Sequence, residues 1–308
     1  MLINYQQDIE ELNKMQNIPN FVKGEEDRYF DRIGEIASNI LRLGKKIILL
    51  SGPSASGKTT SSYLLQRALS KLGISSHVLN MDEFFFDMDS IPVVDGKPDI
   101  ENICALDVDT IKKCLGEIIE LGKTVTPQFD FVTHKRKNEW VEVDVPNNEV
   151  VLMEGIHALN PAITQGLDDD KIYRVYVHCS AEYKKNKETI LNSEDVRLIR
   201  RIVRDDRDRG TKILDTVSMW GEVLKGEKKN ITPYMELAHF HLNTSHAYEP
   251  MVYKSLLCDL YNSEVANNYE LENIQVIKRL VNLLSYFNPL DVSTISPISV
   301  IREFVGEG

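Results

Sequence analysis

The sequence predicts an α/β protein built on a doubly wound, mostly parallel sheet. Three observations carry that expectation. Apolar runs of strand length, such as Ile47-Ile48-Leu49-Leu50 and Val150-Val151-Leu152-Met153, recur along the chain. Segments with apolar residues at helical spacing separate them. A glycine-rich turn, Gly52-Pro53-Ser54-Ala55-Ser56-Gly57-Lys58-Thr59, joins the first run to the helical pattern after it. Strands and helices alternating at these lengths favour parallel pairing through crossover connections. At 308 residues the chain can bury a full core, as one large domain or one domain with extensions.

Taken in order, residues up to about Gly44 read as helical and charged, with Ile33, Ile36, Ile40 and Leu41 as an apolar stripe. The first strand and the glycine-rich turn follow, then a helix carrying Ser62, Leu64, Leu65, Ala68, Leu69 and Leu72. Ser76 to Asp82 reads as a strand ending in an acid, and a polar loop containing Pro and Gly runs from Asp87 to Glu101. The next helix starts near Leu106-Asp107 and carries Ile111, Leu115, Ile118 and Ile119. Val125, Phe129 and Phe131 alternate before a basic turn and then Trp140, Val141, Val143 and Val145, the pattern of an inserted β-hairpin. The run 150–153 is continuously apolar, as a strand buried on both faces should be, and it ends in Glu154-Gly155. Tyr173-Arg174-Val175-Tyr176-Val177 is a further strand, followed by an arginine-rich helix near Asp195 to Arg209 and more helices beyond. The reading divides the chain into a helical N-terminal extension (1–43), a central domain (44–262) and a helical C-terminal extension packed on it (263–308).

Composition excludes several classes. Charged residues make up 27% and hydrophobic residues 42%, ordinary values for a globular protein. A formal net charge of -11 argues against a general nucleic-acid binder, which needs a basic surface for phosphate contacts. The N-terminal MLINYQQDIEEL has no basic region followed by an apolar one, so no signal peptide is expected, and no apolar run approaches membrane-spanning length. Four scattered cysteines, Cys104, Cys114, Cys179 and Cys258, suit a reduced cytoplasmic protein. Among seven histidines, His239 and His241 lie two apart and read as structural rather than metal-binding.

The glycine-rich turn fills the pattern G-x-x-x-x-G-K-[ST] of a phosphate-binding P-loop. Its glycines let successive amides turn inward on phosphate oxygens while the next helix aims its positive end at the same charge. Gly52, Ser54, Ala55, Ser56, Gly57, Lys58, Thr59 and Thr60 are therefore expected to cradle a nucleoside triphosphate. Lys58 would reach the outer phosphates and the Thr59 hydroxyl would ligate Mg2+. Asp82 and Glu154 close two core strands, at the sheet edge where such folds bind ligands. One carboxylate there can hold the cation or its waters and the other can accept a proton from an attacking hydroxyl. In Arg200-Arg201-Ile202-Val203-Arg204-Asp205-Asp206-Arg207-Asp208-Arg209, helical spacing puts Arg200, Arg204 and Arg207 near one face with Arg201 offset. Alone it is a solvated, salt-bridged helix. Beside a P-loop it reads as a lid that clamps phosphoryl charge. Phe129-Asp130-Phe131-Val132-Thr133-His134-Lys135-Arg136-Lys137 either grips a planar acceptor or is a hairpin with a solvated basic tip.

Together, GPSASGKT, NMDEFF, ALD before a helix, PQFDFVTHKRK, VVLMEGIHALNP and RLIRRIVRDDRDRG resemble the uridine kinase-like nucleoside kinases of the phosphoribulokinase/uridine kinase family. The resemblance spans about Gly44 to Lys254 and implies a sheet of P-loop kinase type, with 44–262 as the kinase domain. GIHALNP, WGEVLKGEKKNITPY and SVIREFVG resemble a bacterial branch that often carries an N-terminal TGS region, in whose place this chain shows a short helical segment. The resemblance implies ATP and Mg2+ as cofactors and phosphorylation of a hydroxyl, foremost the 5′-OH of a nucleoside. A phosphosugar or other small metabolite, or a non-catalytic regulatory role, are the alternatives. It makes Asp82 the base, with Lys58, Arg201 and Arg204 also catalytic, and Thr59, Asp82 and Glu154 the metal set. Arg201, Arg204 and Arg209 match phosphate-contacting arginines, His134 a nucleobase contact, and Glu101 stands near a ribose-binding acid. Phe85 and Phe129 replace tyrosines that help hold the nucleoside, and Thr211 and Met219 replace an Arg and a Gln, so the uridine-reading surface departs from the pattern. Homo-oligomerisation is left open.

Overall fold

The computed structural model describes residues 5–94, 97–265 and 272–306. At its centre five strands run parallel in the order Phe240–Asn243, Ile172–His178, Ile47–Ser51, Val150–Glu154 and Ser76–Asn80. Side chains alternate across this sheet, and each face feeds its own core. Ile48, Leu50, Leu152, Val175 and Val177 pack with the helices Ile18–Leu43, Lys58–Lys71, Ser193–Arg209 and Glu249–Val265. Ile47, Leu49, Val151, Met153 and Tyr176 pack with the helix Val108–Leu121 and the turn Pro161–Thr164. Helices on both faces are what parallel strands require, and the doubly wound α/β expectation holds.

Register sets the position of the site. Glu154 pairs with Leu50 on one side and Asn80 on the other, so three strands end level with one another. Beyond Asn80 the chain turns at once into the short 3-10 helix Met81–Phe84, with the Asn80 side chain accepting from the Asp82 amide at 2.9 Å. Asp82 thus stands in that helix, two residues past the strand that was expected to include it.

Four other elements differ from the sequence reading. Tyr5–Asp8 is a strand rather than helix, pairing in parallel with Ala181–Lys185 in a separate three-stranded sheet completed by Glu188–Leu191. In Ile18–Leu43 the buried stripe runs through Tyr29, Ile33, Ile36 and Ile40, whereas Leu41, one position round the helix, is 51% exposed. The hairpin strands Lys123–Thr126 and Val141–Asp144 pair as expected, yet Thr124 and Thr126 face inward and Val125 outward. Glu117 and the Val141 carbonyl accept from those two hydroxyls, which offsets the cost of burying them. The fifth strand, Phe240–Asn243, is short and carries His241; beside it His239 accepts from the Arg174 amide and stacks on Tyr173. Of the loop 87–101, residues 95 and 96 lie outside the described residues. Among the described residues no helix is long and apolar enough to cross a membrane.

Candidate active site

The P-loop leaves the central strand at Ser51 and wraps into the helix Lys58–Lys71. Gly52 is forced by contact: a Cβ there would lie 2.0 Å from the Val177 carbonyl oxygen. Ala55 adopts φ 58, a conformation that costs a non-glycine residue energy and so needs support. Arg200 supplies it. Fully buried, its guanidinium donates to the Ala55 carbonyl at 3.2 Å, to Thr244 Oγ1 at 3.0 Å, and bidentately to Glu249 at 2.6 and 2.8 Å. Above it Arg201 donates to Ser54 Oγ at 2.8 Å. Arg200 therefore belongs to the floor beneath the P-loop, not to a clamp over it. Arg207 also leaves the expected face: it bonds Asp208 and the Glu303 carbonyl.

Lys58 folds back, donating to the carbonyls of Gly52 at 2.8 Å and Pro53 at 3.1 Å. Burial lowers its pKa, which the Glu154, Glu303 and Asp82 charges oppose. Thr59 Oγ1 donates to Glu154 Oε1 at 3.2 Å, while Glu154 Oε2 is buried without a partner. Burial raises the Glu154 pKa against the pull of Lys58, and raises that of Asp82 in the same way. A hydroxyl beside an orphaned carboxylate oxygen suits a hard divalent cation. No group of three or more His, Cys, Asp or Glu forms a metal cluster among the described residues, so such a cation would draw most of its ligands from phosphate oxygens and water.

A cleft of ≈ 460 Å³ joins this cradle to the hairpin insertion. Ser54 to Thr59, Asp82, Arg201, Arg204 and Arg209 line it together with Phe85, Glu101, Phe129 and His134. Phe129 packs edge-on between Phe85 (5.8 Å) and Phe131 (5.3 Å). Its amide donates to Glu83 Oε2 at 2.6 Å, fixing the wall to the helix turn that carries Asp82. His134 sits in the tight turn after Phe131 with φ 57. Burial raises the Glu101 pKa, with Arg201 opposing. Every expected site residue except Gly52 and Thr60 lines this one cleft; Gly52 forms the turn beneath it, and the Thr60 amide meets Glu303 at its edge. Thr211 and Met219 do not line it. Nor does the basic tip: Arg136 is bound to Asp107 at 2.9 Å and to the Phe84 and Phe85 carbonyls.

Three acids at the site escaped the sequence reading. Glu227 accepts from the Ser54 amide at 3.0 Å and from Arg197 bidentately at 3.0 and 2.8 Å, holding the P-loop from above. Asp205, almost fully buried, lies within 3.5 Å of Arg201, Arg204 and Arg209 and fans them towards the cleft. Glu303 reaches in from the short helix Arg302–Val305. Only Asp205 left a signal, at i+4 from Arg201 and i−4 from Arg209.

The model of the Phosphoribulokinase / Uridine kinase family matches residues 47–247. A uridine kinase of Ligilactobacillus salivarius is 28% identical over 180 residues, covering 58% of this chain and 75% of that protein. A uridine kinase of Clostridium tetani is 28% identical over 180 residues, covering 58% and 77%. The solved phosphoribulokinase from Rhodobacter spheroides aligns with a TM-score of 0.42 at 13% identity, over 64% of this chain and 68% of that one. The matched stretch begins in the strand that enters the P-loop, passes through Asp82, Glu154 and the arginine helix, and covers well over half of the described fold. On that match the chain belongs to the phosphoribulokinase/uridine kinase family, as a P-loop kinase acting on a small molecule.

Proposed function

We propose that the chain transfers the γ-phosphoryl group of ATP, carried as its Mg2+ chelate, to the 5′-hydroxyl of a nucleoside. The observation that carries this reading is the single cleft in which Asp82, Phe85, Phe129 and His134 share walls with the Lys58–Thr59 cradle. Lys58 and the P-loop amides bind the triphosphate, and Arg201, Arg204 and Arg209 neutralise charge on the group in flight. Asp82 takes the proton from the acceptor oxygen as that oxygen bonds to phosphorus and the bond to ADP breaks. Thr59, Asp82 and Glu154 would hold the cation, which when bound offsets charge on the phosphate oxygens. Glu101 and His134 offer polar contacts to sugar and base, and the phenylalanines offer faces on which a planar base can stack.

The names of the uridine kinase relatives support a nucleoside. The phosphosugar alternative drew on the basic tip, and the ties of Arg136 to Asp107 and two carbonyls weaken it. The non-catalytic alternative is weakened by acids and arginines converging on the cradle. ADP release across a panel of nucleosides, phosphosugars and other small hydroxyl compounds tests the reading. Turnover is expected with nucleosides and lowered by about 10²-fold or more in Asp82→Asn; turnover confined to phosphosugars, or full activity in that variant, overturns it.

A further inference from the structure

The C-terminal turn enters the phosphate cradle itself. In the helix Lys58–Lys71 the first internal bond runs from the Ser61 amide to the Gly57 carbonyl. The Lys58, Thr59 and Thr60 amides thus have no acceptor within the helix, and the positive end of its dipole opens towards the cleft. One of these donors is taken by an acid of the same chain: the Thr60 amide donates to Glu303 Oε2 at 3.1 Å. Glu303 lines the cleft together with Lys58, Thr59 and Glu154.

Its backbone is held from three directions. Phe304 is buried with the Arg200 guanidinium 4.7 Å from its ring centroid. Val300 touches Gly57, where an added Cβ would lie 2.7 Å from its Cγ2. Arg207, near the end of the arginine helix, donates to the Glu303 carbonyl at 3.3 Å. The segment is packed as core while its one flexible acid sits where the helix binds anions.

We infer that Glu303 is a further residue of the phosphate site, an internal anion that an incoming nucleotide displaces from the Thr60 amide. The inference rests on the P-loop being the triphosphate site. A carboxylate and a phosphoryl oxygen compete for the same donor and the same dipole. With Asp82, Glu101, Glu154 and Glu227, Glu303 brings the cleft acids among the described residues to five against Lys58, Arg201, Arg204 and Arg209, so its charge also repels the ligand. Displacement needs only rotation of a side chain, because Phe304 and Val300 keep the turn in place. Nucleotide binding is therefore weaker, and ADP release faster, than the bare P-loop would give. The Arg207 contact ties the exchange to the end of the arginine helix.

Calorimetric titration of the full chain with ADP in EDTA, and with ATP plus Mg2+, tests this in wild type, Glu303→Gln, Glu303→Ala and Lys58→Ala, with the melting temperature of each free protein. Removing the charge is expected to tighten ADP about tenfold, the scale of one charge-assisted hydrogen bond. Glu303→Ala is expected to melt lower without ligand, because a helix end has lost its acceptor, and Glu303→Gln, which keeps a neutral acceptor oxygen, by less. That opposition is the signature. Unchanged or weaker ADP binding in both Glu303 variants makes Glu303 a helix cap only and overturns the inference. Wild type that binds neither nucleotide, with Lys58→Ala indistinguishable from it, overturns the triphosphate reading and the inference with it.

Discussion

The two walls of the cleft are built differently. On the phosphate side, groups are tied into buried polar networks: Ser54 to Glu227 and Arg197, Ala55 to Arg200 and Glu249, Thr59 to Glu154. On the hairpin side, Phe85, Phe129 and Phe131 are held by ring contacts, and His134 occupies a left-handed turn. The first wall is built from the P-loop, Glu154 at the end of a central strand and the helices flanking the sheet, whereas Phe129 in the second belongs to a two-stranded sheet apart from it. Charge development on a phosphoryl group is the same for every acceptor and favours fixed dipoles. Acceptor recognition is particular to each enzyme, and a hairpin can change its side chains without disturbing the sheet. Under the proposed function, the difference separates chemistry from choice of substrate.

The severest way to break this contrast is to remove its chemical groups. Lys58→Ala and Asp82→Asn are each expected to lower kcat by about 10²–10⁴-fold, with the Asp82 variant retaining nucleotide affinity by calorimetry. Next, Arg200→Met strands a buried Glu249 carboxylate and should cost about 3–5 kcal/mol in denaturant unfolding. It should also weaken ATP binding, since Ala55 loses its support; normal stability and affinity would show that the phosphate wall does not depend on its floor. Phe131→Ala probes the other wall. Losing one exposed aromatic partner should raise the acceptor KM about three- to tenfold and leave the ATP KM unchanged. Equal rises in both would erase the distinction between the walls.

The smallest effect is a pH dependence of stability. Burial pushes His157 down to about 4, and His178 and His246 down to about 3. The unfolded chain binds protons at these positions near pH 6.5, so between there and pH 3–4 it holds more protons than the folded state. Their stabilisation is full above pH 6.5 and is lost as pH falls through that window. The melting temperature should decline across it, and His246→Asn should flatten the decline.

Much of the site was legible because its P-loop and two of its acids sit at or just beyond strand ends. GPSASGKT, Asp82 and Glu154 each mark the end of an apolar run, and parallel register brings such ends together. The arginine helix was legible as a helix but not in its orientation. Arg200 shares a face with Val196 and Val203, at i−4 and i+3, and that apolar company was the signal that it is buried. Glu227 and Glu303 were hidden because they act from remote segments, and nothing in KGEKKN or REFV distinguishes an acid that meets a P-loop amide from one in solvent. Tyr5–Asp8 and Phe240–Asn243 were missed as strands because four residues are too few to show a period; tertiary pairing, not local preference, makes them extended.

Arg200 also fixes how the arginine helix is mounted. Bolted at Arg200 to Ala55, Thr244 and Glu249, the helix is held again near its far end, where Arg207 meets the Glu303 carbonyl. Between the two anchors Ile202, Val203 and Asp205 are buried, so the span between them is braced as well. A rod pinned at both ends keeps the spacing of what it carries. Arg201, bonded to Ser54, and Arg204, tied to Asp205, are thus held in register with the P-loop by the same buried guanidinium that supports Ala55.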